Sequence, residues 1–287
     1  MADTTGQADL RAEDFERMVK GFALQEFKMK QLVAISSTNA WTNTYYRETA
    51  TELTGGTGSA VKGVPRLAAF PYGEVSWTKV QALVEKYGME GVVSWEDAMT
   101  NNIDVIARTL LRVGRAVANA VDSEIYSALS TAAGNSVTIS SGSEWDSSTV
   151  ANRDPVQDLL NAKKELYTDN FDPDGNETFL CVSPKGYADL LGNSKILQNP
   201  TFRAMDIVDK GVVARLLGMK VLVSTVVTAD EALVVIAREC GTWKQAAPLT
   251  SFTEVDKGIK YTIRAYEMGV CQVTTPNAVC KLTNTEA

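Results

Sequence analysis

From Trp95 to about Ala133 the apolar residues Met99, Ile103, Ile106, Leu110, Val113, Val117, Val121, Ile125 and Leu129 step by three or four positions, with polar residues between them. That spacing keeps side chains on one face of an α-helix, and the unbroken register predicts a single helix of roughly 50 Å at about 1.5 Å per residue. Ser94 followed by Asp97 gives it an acidic variant of a capping box. A second helical pattern, Leu10 to Ile35, places Leu10, Phe15, Met18, Val19, Phe22, Phe27 and Leu32 at mostly similar intervals after a polar leader, with Gly21 in its middle.

Between these patterns the helical period disappears. "WTNTYYRETATEL" and "RLAAFPYGEVSWTKV" alternate partially and are rich in aromatic and β-branched residues; the glycine-rich stretch "LTGGTGSAVKGVPRLAAF" (Leu53 to Phe70) links them. We expect a long two-stranded arm with a flexible tip. Further on, residues 134–152 are polar and serine-rich and read as a loop. Asp154-Pro155 opens a helix, because proline suits a first turn. "TFLCVS" reads as a strand and Pro184 opens another short helix. "MKVLVSTVV" and "EALVVIA" are continuous apolar runs, as in strands covered on both faces. The chain ends in apolar segments read as short strands, with turns at Asp256-Lys257-Gly258 and Pro276-Asn277. The class is α+β.

Composition narrows the chemistry. The chain has 287 residues, 45% of them apolar and 22% charged, enough to bury a sizeable core. It contains no histidine, which removes Ser-His-Asp and Cys-His catalysis and the commonest transition-metal ligand. The four cysteines, Cys181, Cys240, Cys271 and Cys280, lie in apolar segments without a CxxC pair and read as buried thiols in a reducing compartment. No stretch reaches the roughly 18 apolar residues of a membrane span, and the N-terminus lacks the order of a signal peptide, so we expect a cytosolic product with no membrane partner. The net charge of −7 argues against a general coating of nucleic acid, leaving only local or weak contact.

The candidate motifs fail on count. A phosphate loop needs GxxxxGK[ST]; counted from Gly56, Val61 stands where the second glycine belongs and Gly63 where the hydroxyl belongs. Asp172, Asp174 and Asn176 have calcium-like spacing, but Gly175 is fourth rather than sixth, so the segment reads as a turn. Paired carboxylates such as Glu96 with Asp97 do not share a helical face. No cofactor is implied. One positive feature is a stripe of Arg108, Arg112 and Arg115 at i, i+4 and i+7 on the long helix, either a solvated face or a basic ridge awaiting an acidic neighbour.

The order of elements, an amphipathic arm, a glycine-tipped hairpin, a very long helix, an α/β unit and a return to strands, resembles the Hong Kong 97-type major capsid protein of tailed double-stranded DNA phages and viruses. "WEDAMTNNIDVIARTLLRVGRAVANAVDSEIYSAL" is similar to that family's spine helix, "VARLLGMKVLVSTVV" with "ALVVIAREC" to its leucine-glycine-x-x-valine segment and following strand, and "KGIKYTIRAYEMGVCQVTTPNAVCKL" to its C-terminal strands. The resemblance implies an N-terminal arm (1–40), an extended loop (41–80), a peripheral domain (81–150) with the spine helix (95–133), an axial domain (151–245) and return strands of the peripheral domain (246–287). It implies a non-enzymatic subunit that forms hexamers and pentamers of an icosahedral or prolate shell around double-stranded DNA. It further implies portal and scaffolding proteins as partners, with a decoration protein as a further candidate, and assembly in the host cytoplasm into a virion capsid. Candidate contacts between subunits are Phe15, Phe22 and Phe27 in the arm, Lys62 and Arg66 in the loop, and Arg108, Arg112 and Arg115 on the helix. Some members cross-link a loop lysine to an asparagine, for which Lys62 and Asn277 are the positions here. An encapsulin-type nanocompartment shell is the alternative within the fold, and an acidic carboxylate-dependent soluble enzyme the alternative of another class.

Overall fold

The computed structural model describes residues 27–48, 54–55, 64–70, 73–74, 77–100, 103–197 and 215–287. In chain order they form β1 (Ala34–Ser37), β2 (Thr42–Glu48), β3 (Thr54–Gly55), β4 (Gly73–Glu74), β5 (Trp77–Leu83), β6 (Glu85–Ser94), α1 (Trp95–Met99), α2 (Ile103–Ala132) and β7 (Asn135–Thr138). There follow α3 (Pro155–Thr168), β8 (Thr178–Val182), α4 (Pro184–Gly192), α5 (Ser194–Leu197), β9 (Arg215–Leu216), β10 (Met219–Val223), β11 (Glu231–Ile236), β12 (Gly241–Asp256), β13 (Lys260–Val273) and β14 (Val279–Thr283).

The expected long helix is α2, 30 residues, about 45 Å at 1.5 Å per residue. Leu110, Val113, Val117, Val121, Ile125 and Leu129 are all buried, as one apolar stripe requires. The stripe rests on a four-stranded sheet ordered β1-β12-β13-β6. Contact is close because Gly91 of β6 lacks a side chain: a Cβ there would stand 2.7 Å from Val113 Cγ2 and 2.9 Å from Thr109 Cγ2. The predicted helix from Trp95 is interrupted, however. Ser94 Oγ accepts from Asp97 N at 3.1 Å and starts α1 as expected, but Thr100 turns out of it, its hydroxyl donating to Asp97 O at 3.0 Å. Threonine competes for backbone partners in this way and is a poor helix former.

The second layer is a six-stranded mixed sheet ordered β7-β14-β11-β8-β10-β9, with β8 buried at all five positions. α3 packs on β14 and β7 through buried Leu159, Ala162 and Leu166. Asp154 caps it by accepting from Gln157 N at 3.3 Å, and Ser183 caps α4 by accepting from Gly186 N at 2.9 Å.

Three sequence expectations are corrected. Residues 27–35 are not helical: Met29–Gln31 is one 3-10 turn and Ala34–Ser37 pairs in parallel with β12 from Thr242 to Gln245. Alternation of half-buried and exposed positions through Ala34, Ile35, Ser36 and Ser37 suits that pairing. The polar stretch 134–152 contains a strand, β7, which reads as loop because it lies at a sheet edge and exposes Ser136 and Thr138. The terminal short strands before Pro276 are two long ones, β12 of 16 residues and β13 of 14, joined at Gly258 with φ 79°, while β14 is short as expected. In the four-stranded sheet β13 lies beside β6 and β12 beside β1, while β14 pairs with β11 and β7 in the other. The leading pattern over residues 10–26, with Phe15 and Phe22, and the glycine tip with Lys62 lie outside the described residues.

Candidate intersubunit surfaces

The predicted hairpin exists, and its two faces differ. β2 and β5 pair antiparallel from Thr42 opposite Leu83 to Glu48 opposite Trp77. Strand pleating places Thr44, Tyr46, Trp77, Lys79, Gln81 and Leu83 on one face, and each is exposed. Asn43, Tyr45, Arg47, Val80 and Ala82 share the other face and are half-buried. Arg47 sets this asymmetry: its Nη2 donates to Tyr45 Oη at 3.2 Å and its Nε to Val273 O at 3.3 Å, leaning one face on the end of β13. The outward face carries Tyr46 at 58%, Trp77 at 57% and Leu83 at 66% exposure, with Trp41 beside its base. Leu67 and Phe70, after the hairpin tip, are also exposed. Arg66 is exposed in a turn closed by Ala68 N donating to Pro65 O at 3.1 Å.

The described arm residues from Phe27 to Val33 are held inside their own chain. Phe27, Met29, Leu32 and Val33 are buried in the main core, so Phe27, expected at a subunit contact, is covered locally. Two buried carboxylates grip this segment. Asp122, on the flank of α2, accepts from Lys28 N at 2.8 Å and Met29 N at 3.1 Å. Burial pushes its carboxyl up to about 6, while these two N–H groups pull the other way. Glu267 in β13, fully enclosed, accepts from Lys30 Nζ at 2.7 Å, Gln245 Nε2 at 2.9 Å and Trp243 Nε1 at 3.1 Å. Lys30 lies 3.5 Å over the Phe27 ring, and its own burial lowers its pKa. Leu32 O accepts from Arg238 N at 2.8 Å, extending the grip to the turn after β11.

Arg108, Arg112 and Arg115 are exposed along the side of α2 turned away from the sheet. Arg112 and Arg115 join Lys28 around an open cleft of about 430 Å³. The cysteines are free thiols, all buried, and burial pushes Cys240 and Cys280 up to about 12. The Asp172 segment is a turn: Asp172 Oδ1 accepts from Asp174 N and Gly175 N, both at 3.0 Å, and Asp174 pairs with Lys163. Asn277 sits in the turn Pro276–Ala278, its carbonyl accepting from Asn135 Nδ2 at 3.2 Å. Sequence reasoning passed over Trp41, Tyr46, Trp77 and Leu83, although alternation along β2 and β5 marked the row. It weighed Asp122 only as a carboxylate paired with Glu124 and gave it no role, although it follows Val121 and precedes Ile125 at the margin of the buried stripe.

Among the described residues, a body with a buried core carries a hairpin that exposes Tyr46, Trp77 and Leu83, a design suited to a subunit that meets other chains. The phage capsid protein family model matches residues 77–282, and the chain belongs to that family. No curated protein matches it. Among solved structures it is similar to the virus-like particle of Pyrococcus furiosus, with 14% identity over 94% of this chain and 98% of that chain at a TM-score of 0.62. It is similar to a Mycobacterium phage Che8 structure, with 19% identity over 86% of both chains at 0.62. The capsid of cyanophage P-SCSP1u gives 12% identity over 88% of this chain and 86% of that chain at 0.65. The fold is thus the Hong Kong 97 type, and family and fold together make this a major capsid protein.

Proposed function

We propose that the chain builds an icosahedral or prolate shell of hexamers and pentamers around double-stranded DNA, as a structural and not a catalytic component. On this reading the four-stranded sheet with α2 is the peripheral domain, and the six-stranded sheet with α3 and α4 supplies the axial contacts. The observation that carries it is the hairpin: one face leans on its own β13, while Tyr46, Trp77 and Leu83 on the other are exposed. A two-stranded ribbon is marginal alone, and laying that face over a neighbour removes large aromatic surface from water at about 25 cal/mol per Å². Each contact is modest, but a subunit touching several neighbours multiplies them. Portal and scaffolding proteins, a decoration protein and assembly in the host cytoplasm follow from the same reading. The match to a phage family favours a genome as contents over the enzyme cargo of a nanocompartment.

The test is particle size. Purified protein, alone or with scaffold, should give capsomers or megadalton particles by size exclusion and negative-stain microscopy. Tyr46→Ser, Trp77→Ser and Leu83→Ser together should abolish them while leaving the urea midpoint of the subunit unchanged. A chain that stays at about 31 kDa in every condition overturns the proposal.

A further inference from the structure

The chain carries net charge −7, yet one side of α2 collects cations. Lys28, Arg112, Arg115, Asn119, Ser224 and Thr225 line the 430 Å³ cleft. Arg108 extends the row one helical turn beyond it. Lys28 is set at the mouth by its own hydrogen bond, Nζ donating to Val223 O at 3.0 Å. It also lines a second open cleft, of about 480 Å³, with Gln31, Arg215 and Lys220, where Lys220 is paired with Glu177. The acid in the first cleft is Asp122, only 3% exposed, with both oxygens accepting from backbone N–H groups. Among the described residues, three cations and one enclosed carboxylate thus line the cleft, Arg115 being one that already has an interaction of its own.

We propose that this cleft and its arginine row form a binding surface for the phosphate backbone of double-stranded DNA, the part of the wall that meets the packaged genome. The inference rests on the shell reading and adds a site to it. Three observations select DNA over an acidic protein. The lining pairs arginine and lysine with hydroxyl and amide side chains, the groups that contact phosphate and sugar. Its apolar members besides the aliphatic stems are two alanines, Ala116 and Ala118, whereas a protein partner needs an apolar centre to anchor on. The row also follows a straight helix, with positions 108, 112 and 115 rising about 10 Å along it, so successive cations can follow a strand of phosphates. The overall acidity does not prevent this, because at about 0.1 M salt charges more than about 10 Å away are largely screened and the local cluster governs. It does keep the contact weak, which suits a container that must release its contents.

The experiment uses full-length unassembled subunits, checked by sedimentation, and a fluorescein-labelled 30-base-pair duplex followed by anisotropy from 20 to 200 mM NaCl. Each phosphate contact contributes about 0.9 to the slope of log K against log salt. Arg108→Gln, Arg112→Gln and Arg115→Gln together should reduce that slope by about 3 and the affinity at 50 mM salt at least tenfold. Arg112→Gln alone, a single change at an exposed position, should reduce the slope by about 1. A matched triple on the other side of the sheet, Lys86→Gln, Lys257→Gln and Lys260→Gln, should change neither. Equal loss in the matched triple, or an unchanged slope in the arginine variants, overturns the proposal. So does arginine-dependent binding of polyglutamate without binding of the duplex, which would make the occupant an acidic protein. Particle formation is scored on the same preparations. Variants that form shells with an unchanged slope defeat this site alone, whereas wild type without shells defeats the shell reading.

Discussion

Replacing Glu267 by glutamine is the sharpest perturbation the core offers. The side chain is fully enclosed and accepts hydrogen bonds from Lys30, Gln245 and Trp243. Lys30 is itself only 12% exposed, so the substitution leaves a buried ammonium facing an amide. Removing one partner of a buried ion pair costs about 3 to 5 kcal/mol, because the remaining charge has lost its compensation. Against the 5 to 15 kcal/mol that usually separates folded from unfolded, that is a large fraction. The loss has a ceiling: burial already lowers the Lys30 pKa, and the amine escapes part of the penalty by releasing its proton. Lys30→Met alone should cost a similar amount by stranding the carboxylate. The double variant, with no charge left to bury, should cost at least 2 kcal/mol less than the two singles added. Urea unfolding followed by tryptophan fluorescence measures this directly, since Trp243 donates to Glu267 and reports the site. Trypsin should also cut faster after Lys28 and Lys30 in Glu267→Gln, because these residues belong to the gripped arm. A single variant within 1 kcal/mol of wild type, or a double variant equal to the sum, refutes the view that this pair fastens the arm.

Asp122 gives a pH dependence of defined sign. Its folded pKa, about 6, lies above the ordinary carboxylate value, so the folded state holds the proton more tightly. Its contribution is therefore fully present below about pH 4 and is lost as pH rises to about 6, by about 3 kcal/mol; in Asp122→Asn the urea midpoint should lose this component between pH 4 and 6.5. Gly91→Val should destabilise by about 1 to 3 kcal/mol and loosen α2 on β6, since even a Cβ would stand 2.7 Å from Val113; thermal unfolding measures it. All four cysteines are buried with thiols pushed up by burial, so an aromatic disulfide reagent should titrate none in the native subunit within minutes at pH 8 and four in urea.

The parts of this fold that were legible in the sequence are those whose pattern and partner lie on one element. Along α2 a single apolar stripe faces one continuous core, so the period survives intact from Leu110 to Leu129. The arm misled for the opposite reason. Phe27, Leu32 and Val33 are spaced like helical residues, but they enter the core from the segments flanking a 3-10 turn, and what fixes that path is Asp122, almost a hundred residues away. β7 was hidden because an edge strand need not be apolar, and β12 and β13 looked short because bulges near Ala247 and the glycine at 269, where a Cβ would meet the Trp243 ring at 2.5 Å, break their alternation.

The same distinction separates the two candidate surfaces. The hairpin was readable as a hairpin, yet which of its faces stays uncovered is decided by Arg47 reaching Val273, a contact no local pattern announces. On α2 the geometry works the other way. Arg112, Arg115, Asn119 and Asp122 fall at i, i+3, i+7 and i+10, and so form a polar stripe whose phase is fixed against that of Leu110, Val113, Val117 and Val121 by helical geometry alone. Asp122 falls where this stripe meets the apolar one, which is why it alone is buried and grips the arm while the arginines stay in solvent. Moving the arginines by one position, for example exchanging Arg112 with the buried Val113, would therefore turn a cation toward the sheet and break core and cleft together, whereas neutralising them in place leaves the core intact. This separation lets the salt dependence of DNA binding be read without a stability change beneath it.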